Sequence, residues 1–231
     1  MSRCTAFLPC RKGSQRIPNK NIKPFAEHKK GLLEIKLNQL QDSRYINKII
    51  LSTNDSDIIK FAKRFPSKKL FIDHRSDSLC SSETSTDDLI SYIPSIISSK
   101  HILWTHVTSP FIHSLLYDKI IKMYFNSIKD GYDSLMTVTK HQNFFWDNTG
   151  PVNYNCKKEK WPRTQTLKKL YEINSAIFLT SINCYKKYKN RIGKNPIKYP
   201  LNKLESTDID WPEDFHFAEL LWQNINSFKI K

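Results

Sequence analysis

The chain has 231 residues, of which 39% are hydrophobic, a length and composition that predict one sizeable core and a single domain over 1–231. No stretch approaches the roughly 20 consecutive apolar residues of a spanning helix, and the N-terminal segment lacks a signal peptide's apolar run, so we expect a cytoplasmic protein without membrane attachment. The formal charge of +15 admits a nucleic-acid partner, but the lysines fall in scattered pairs typical of solvated faces, and an anionic substrate explains the same sign of charge.

Strand-like and helical apolar patterns alternate along most of the chain. Apolar runs predict strands at 5–9, 48–52, 70–72, 102–107, 134–138 and 173–180. Amphipathic patterns predict helices at 32–40, 58–65, 87–97, 115–128 and 213–224, the third of them interrupted or ended near Pro94. This alternation is typical of βαβ units and predicts an α/β protein with a mostly parallel sheet.

The alternation breaks at residues 139–174. This segment is rich in polar residues, contains Trp146 and Trp161 and shows no clear period. We interpret it as an insertion that packs on the main domain or on a second subunit, rather than as an independent domain.

The five cysteines are odd in number and lack the close spacing of zinc sites or disulfide frameworks, so reduced thiols are expected. Cys10 lies in the loop described next. No histidine is near it in sequence to act as a base, which favours a small buried side chain over a nucleophile.

The most informative segment is the loop after the first strand, LPCRKGSQRIPNKNI at 8–22. Backbone N–H groups around Gly13 and Ser14 can converge on phosphate oxygens, while Arg11 and Lys20 can neutralise charge on a leaving pyrophosphate. Such a loop suits a nucleoside triphosphate. It is not a Walker loop, because it has one glycine and no GKS or GKT pattern, and an exposed basic turn is the alternative interpretation.

The order Arg-x-Gly-Ser-x-Arg-Ile-Pro-x-Lys-Asn-Ile in this loop resembles the opening signature of the CMP-sialic acid and CMP-Kdo synthetases, in particular of the acylneuraminate cytidylyltransferase family. Four later segments resemble the same family in the same order: IILSTND at 49–55, LCSSETSTD at 79–87, TSP at 108–110 and ESTDIDWPED at 205–214. The resemblance therefore spans nearly the whole chain.

The resemblance implies a three-layer, Rossmann-like nucleotidyltransferase fold in which the insertion at 139–174 contributes to a homodimer contact and to the acceptor site. It also implies an activity, the transfer of CMP from CTP to sialic acid or a related nonulosonic acid with release of pyrophosphate, for surface polysaccharide or glycoconjugate synthesis. The expected partners are thus CTP and an acidic sugar, with no nucleic acid and no membrane.

The family's functional residues fall on matching positions. The nucleotide contacts implied are Arg11, Gly13, Ser14, Lys20, Asn21, Ser85 and Thr86. Asp208 and Asp210 are implied to bind Mg²⁺ and, with Arg11 and Lys20, to form the catalytic set. Residues two apart in an extended segment point to one face, so both carboxylates could approach one cation; without the resemblance, this pair is more typical of helix capping.

The acceptor half of the pattern is altered. His106 replaces the family's Gln before Thr-Ser-Pro, while Glu172 and Ser175 replace Arg and Gly in Arg-x-Asn-Gly-Ala-Ile. Arg163 is expected to supply the positive charge missing at Glu172. The acceptor contacts implied are His106, Thr108, Ser109, Arg163, Gln165 and Asn174.

Two alternatives remain open at the level of sequence. The substitutions at His106 and Glu172 favour the same chemistry on another acceptor, such as a Kdo-like sugar or another acidic or phosphorylated capsule precursor. The alternative of a different class is a basic nucleic-acid-binding module without catalysis. A nucleotidyltransferase for another base agrees less well with the segment around Ser85 and Thr86.

Overall fold

A computed structural model describes residues 3–224, and a seven-stranded sheet of order β3-β2-β1-β4-β8-β5-β9 forms its centre. The strands are β1 (Cys4–Pro9), β2 (Ile46–Thr53), β3 (Leu70–His74), β4 (His101–Thr105), β5 (Ser134–His141), β8 (Leu170–Ser181) and β9 (Pro196–Leu201). All run parallel except β8, which is antiparallel to both of its neighbours. A separate two-stranded hairpin, β6 (Trp146–Asp147) and β7 (Gly150–Pro151), lies in the predicted insertion.

Helices cover both faces of the sheet. They are α1 (Gly31–Asp42), α2 (Ser56–Arg64), α3 (Thr86–Ile96), α4 (Ser114–Ser127), α5 (Ile182–Tyr188) and α6 (Pro212–Gln223). The larger core takes side chains from α1, α2, α4 and α6, and the smaller core takes them from α3 and α5. Because successive strand residues point to opposite faces, Leu8 lies in the first core and Phe7 in the second, against Trp104. The predicted three-layer arrangement is confirmed.

The sheet takes in both ends of the segment that was predicted as an irregular insertion. Strand β5 continues to His141, which pairs with Leu170 in β8, so only residues 142–169 lie outside the sheet. Helix α5 and strand β9 were not predicted. Helix α5 is only 7 residues long, and β9 contains Pro196 and Pro200, which are tolerated because β9 is an edge strand.

A bulge interrupts the β5–β8 ladder, whose register shifts between Met136 and Val138. Within it, Ser175 adopts φ +59°, a left-handed conformation that favours glycine, the residue the resembling family has there. The Thr137 hydroxyl bridges the gap: it donates to Asn174 Oδ1 at 2.8 Å and accepts from the backbone N–H of Ile177 at 2.9 Å. Asn174 and Ile177, on either side of Ser175, are thus both held by Thr137.

The larger core contains a buried lysine. Lys36, on α1, donates from Nζ to the backbone oxygen of Ser109 at 2.8 Å and to the Tyr117 hydroxyl at 3.0 Å. Burial lowers the pKa of Lys36 to about 7, against the opposing influence of the Asp208 carboxylate. This side chain fixes the turn that follows β4.

The pKa of Lys36 predicts how stability depends on pH. Its folded value of about 7 lies below its ordinary value of 10.5, so between these pH values the unfolded chain binds more protons than the folded chain. The free energy of unfolding of the wild type should therefore rise with pH relative to that of Lys36→Met, by up to about 1.4 kcal/mol per pH unit. Urea denaturation from pH 7 to 10 measures this difference. Lys122→Met, at an exposed lysine of α4, is the control, and parallel curves for the wild type and Lys36→Met would contradict the assignment.

Candidate active site

Two adjoining clefts open at the carboxyl ends of β1 and β4. The sheet order reverses between these strands, since β2 and β3 follow on one side of β1 and β4 lies on the other. Ligands of open α/β sheets bind at such a switch point. The clefts share Pro9, Arg11 and His106. The first is also lined by Cys10, Ser14, Gln15, Arg16, Lys20, Asn21, Val107 and Thr108, and the second by Arg75, Leu79, Thr84, Ser85, Thr86 and Leu89.

The loop after β1 is held in place by side-chain hydrogen bonds. Asn54, which follows β2, accepts from the backbone N–H of Lys12 at 2.9 Å and donates to Asp77 at 2.8 Å. Within the loop, Asn21 Nδ2 donates to the backbone oxygen of Arg11 at 3.1 Å. Gly13 adopts φ +79°, which lets the loop turn sharply. These contacts fix the conformation of the loop beside the first cleft.

Lys20 joins this loop to the segment before α6. Its Nζ donates to the backbone oxygen of Ile209 at 2.7 Å and lies 3.5 Å from Asp210 Oδ1. Arg16 Nη2 contacts the same carboxylate oxygen at 3.1 Å, and its guanidinium lies over the Trp211 ring. Burial lowers the pKa of Lys20, opposed by the charges of Asp210 and Asp208. Two cations of the loop thus meet the two carboxylates implied to bind metal.

The largely buried carboxyl group of Asp208 lies beside the turn after β4. Its hydrogen bond with the Thr108 side chain lowers its pKa, but burial raises the pKa more, with a further rise from Asp210. The backbone N–H of Ile209 donates to Thr108 O at 2.9 Å, which fixes the segment. A bound cation would relieve both causes of the raised pKa.

The donor set can be tested against Mg²⁺. Among residues 3–224, no three His, Cys, Asp or Glu side chains cluster to form a complete metal cage. Two carboxylates are nevertheless enough, because Mg²⁺ commonly uses one or two carboxylates and completes its octahedron with water and substrate phosphates. The residues present therefore fit Mg²⁺ held jointly with a nucleotide.

The second cleft lies beside the N-terminus of α3. The Ser85 hydroxyl donates to Asp88 Oδ2 at 2.8 Å and accepts from its backbone N–H at 3.1 Å, so Ser85 caps this helix while lining the cleft. Arg75 is buried, with Nε in contact with Cys80 Sγ at 3.0 Å. Its Nη2 is buried without a hydrogen-bond partner in the described part of the chain, so a donor is left for a ligand.

His106 separates the two clefts as a neutral side chain. The indole N–H of Trp104 donates to His106 Nε2 at 2.8 Å. Burial, together with the nearby charges of Arg191, Lys36 and Lys20, lowers the pKa of His106 to about 3. Since an indole N–H can only donate, Nε2 must be the acceptor, and the ring proton lies on Nδ1.

Of the sequence-predicted residues, eight line the clefts, Asp208 and Asp210 adjoin the first cleft through Thr108 and Lys20, and five lie elsewhere. Gly13 lies in the loop after β1 but lines neither cleft. Ser109 is buried, and its backbone oxygen serves Lys36. Asn174 is buried in the bulge of β8. Arg163 and Gln165 are exposed in the insertion, outside both clefts. Glu172 does not face a cleft cation, because its carboxylate pairs with His141 at 2.7 Å.

Sequence reasoning missed Asn54, Arg75, Arg16 and Lys36. Asn54 and Arg75 each follow a strand, and the rule that ligands meet the carboxyl ends of parallel strands could have found them. The roles of Arg16 and Lys36 depend on contacts with distant segments. Cys10 is a buried free thiol as predicted, and burial raises its pKa to about 12.

The fold and the clefts define a nucleotide-binding α/β protein with a basic loop at the switch point of the sheet. The cytidylyltransferase family model matches residues 5–229. The chain belongs to the cytidylyltransferase family, and the resemblance seen in its motifs is confirmed.

Individual relatives are similar at low identity over most of the chain. A pseudaminic acid cytidylyltransferase of Campylobacter jejuni is 24% identical over 224 residues, which cover 94% of this chain and 95% of the relative. An N-acylneuraminate cytidylyltransferase of Escherichia coli O18:K1:H7 is 25% identical over 232 residues, 97% of this chain, and the chain spans about half of that relative's length, 53%.

Solved structures share the fold. CMP:2-keto-3-deoxy-manno-octonic acid synthetase in complex with CTP superposes with a TM-score of 0.68 at 11% identity, covering 97% of this chain and 100% of that one. 4-Diphosphocytidyl-2C-methyl-D-erythritol synthase of Anaerococcus prevotii superposes with a TM-score of 0.67 at 17% identity, covering 96% of each chain.

Within residues 3–224, no helix combines the length and apolar character needed to cross a bilayer.

The role of Asn54 in shaping the loop can be tested with Asn54→Ala. This change removes the acceptor for Lys12 N–H and should loosen the loop after β1, which raises the Kd for CTP by about 3- to 10-fold. Calorimetric titration with CTP measures the effect. Asn126→Ala, at an exposed position of α4, is the matched control, and equal CTP affinity in both variants would show that Asn54 does not organise the site.

Proposed function

We propose that the protein transfers CMP from CTP to an acidic sugar, a sialic acid or related nonulosonic acid, and releases pyrophosphate. The observation that carries this proposal is the meeting of Lys20 and Arg16 with the Asp208–Asp210 pair at the switch point of the sheet. Family membership supports CTP as the nucleotide. Relatives named for pseudaminic acid and N-acylneuraminate support an acidic nine-carbon sugar as the acceptor.

The described residues suggest how the reaction proceeds. The loop after β1 holds the phosphates of CTP through backbone N–H groups near Gly13, while Arg11 and Lys20 neutralise charge on the departing pyrophosphate. The anomeric hydroxyl of the acceptor attacks the α-phosphorus in line. The second cleft, lined by Arg75 and Ser85, would take the base.

Asp208 and Asp210 would hold Mg²⁺ against the phosphates. When bound, the ion neutralises charge on the transferring phosphoryl group and lowers the pKa of a coordinated hydroxyl. The protein's own contribution is to hold the two carboxylates in place, Asp210 through Lys20 and Arg16 and Asp208 through Thr108.

A different acid remains the second candidate for the acceptor. The pairing of Glu172 with His141 favours it, because the position that carries a cation in the resembling family here carries a carboxylate that contacts the His141 ring at 2.7 Å. The chemistry at the α-phosphorus would be unchanged.

Pyrophosphate release tests the proposal. We expect release with CTP, Mg²⁺ and one acid from a panel of N-acetylneuraminate, pseudaminate and Kdo, and no release when ATP, GTP or UTP replaces CTP. Turnover with a Kdo-like or phosphorylated acid alone would select the second candidate. Absence of release with every acid, together with no thermal stabilisation by CTP, would contradict the proposed function.

The carboxylate pair can be tested with Asp210→Asn, which keeps the shape and an oxygen acceptor for Arg16. Loss of the negative charge should lower kcat by at least 10²-fold, on the order of the loss seen when one transition-state electrostatic contact is removed. The melting temperature should stay close to that of the wild type. Glu213→Ala, at an exposed carboxylate in the first turn of α6, is the control, and near-normal kcat in Asp210→Asn would exclude a role in metal binding.

A further inference from the structure

Arg191 is a partly buried cation for which the described part of the chain provides no counter-charge. It lies between α5 and β9, with its guanidinium carbon 3.8 Å from the centroid of the Phe178 ring and 4.8 Å from that of Trp104. Among residues 3–224 it takes part in no ion pair and no side-chain hydrogen bond. Burial lowers its pKa, opposed by Tyr185. Buried charges usually have a partner, so this one is available to a ligand.

Arg191 and His106 share one aromatic neighbour, Trp104. Trp104 contacts both residues: its ring lies under the guanidinium, and its indole N–H donates to His106 Nε2. Of the cations that lower the pKa of His106, Arg191 contributes most. The neutral imidazole therefore has its Nδ1–H as a donor, and the charge of Arg191 acts on the same ring.

Both donors can be reached from solvent. Within residues 3–224, His106 Nδ1 and the guanidinium nitrogens of Arg191 have no hydrogen-bond partner, and none of these atoms is fully buried. His106 itself lines both clefts. A guanidinium edge and a neutral N–H donor at one place form a receptor for an oxyanion, and stacking on two rings fixes the guanidinium before the ligand arrives.

The nucleotide does not need this receptor. Its phosphates have Arg11, Lys20 and the loop amides in the first cleft, and the other cleft offers Arg75 and Ser85 to the base. The acceptor brings the remaining anion, a carboxylate. Arg163, the residue expected to bind it, is exposed in the insertion.

We propose that Arg191 and the Nδ1–H of His106 bind the carboxylate of the acceptor sugar. This inference rests on the proposed function and deepens it, because it makes Arg191 a determinant of specificity for acids. Strand β8 and the segment after α5 then supply the acceptor half of the site, and β1 with its loop supplies the nucleotide half.

Arg191→Met tests the proposal, because methionine keeps an apolar side chain over the two rings and removes the charge. The KM for the acceptor acid should rise by about 10- to 100-fold, the loss expected for a charge-assisted hydrogen bond, while the KM for CTP stays unchanged. Lys194→Met removes a positive charge from the same segment at an exposed position and should behave as the wild type. Stabilisation by CTP, measured as a shift in Tm, reports that each variant is folded.

The carboxamide of the acceptor separates carboxylate binding from mere packing. Replacing the acid by its carboxamide should raise the acceptor KM of the wild type by about the same factor as Arg191→Met raises the KM for the acid. For Arg191→Met, the same replacement should raise the acceptor KM little further. If the wild type turns over an acid and Arg191→Met has the same acceptor KM, this inference is wrong and the proposed function stands. If the wild type turns over no acid with CTP, the proposed function fails and the inference fails with it.

Discussion

The hydrogen bond from Lys20 to the backbone of Ile209 joins segments 189 residues apart, and the geometry of the site depends on it. A buried ammonium is costly unless its donors are satisfied, so Lys20 must find acceptors. It finds them in the carbonyl of Ile209 and the carboxylate of Asp210. The same lysine and Arg16 form ion pairs with Asp210, and the charge of Asp208 also acts on Lys20.

Two parts of the chain contribute different groups of residues to the proposed site. Strands β1 to β3 carry the loop and the side chains suited to a nucleotide, while the reversed strand β8 lies beside β4 and places Phe178 opposite Trp104. That pairing produces the aromatic surface on which Arg191 lies. In the proposed site, the charge that meets the acceptor therefore comes from a segment that makes no contribution to the loop after β1.

Local patterns were enough to predict most of the fold. The alternation of strand and helix residues gave the parallel sheet, since each apolar run is contiguous and its period is visible in the sequence. Strand β9 was not predicted, because prolines such as Pro196 and Pro200 usually interrupt a strand. They are tolerated here because β9 lies at the edge of the sheet. The loop at 8–22 was recognised from the order of its residues. By contrast, the burial of Asn174, the pairing of Glu172 with His141 and the stacking of Arg191 depend on contacts across the sheet that no local pattern encodes.

The bond between Lys20 and Ile209 also bears on how the protein is made. A chain emerges from the ribosome N-terminus first, and domains fold as their residues become available. The loop with Lys20 is synthesised early, but its acceptors at Ile209 and Asp210 appear nearly 190 residues later. Until then the ammonium has no partner at this place, and the cleft cannot assemble its carboxylates. The contact that joins the loop to the segment before α6 therefore forms only after that segment has been made, so the two sides of the site cannot be brought together while the loop alone is available.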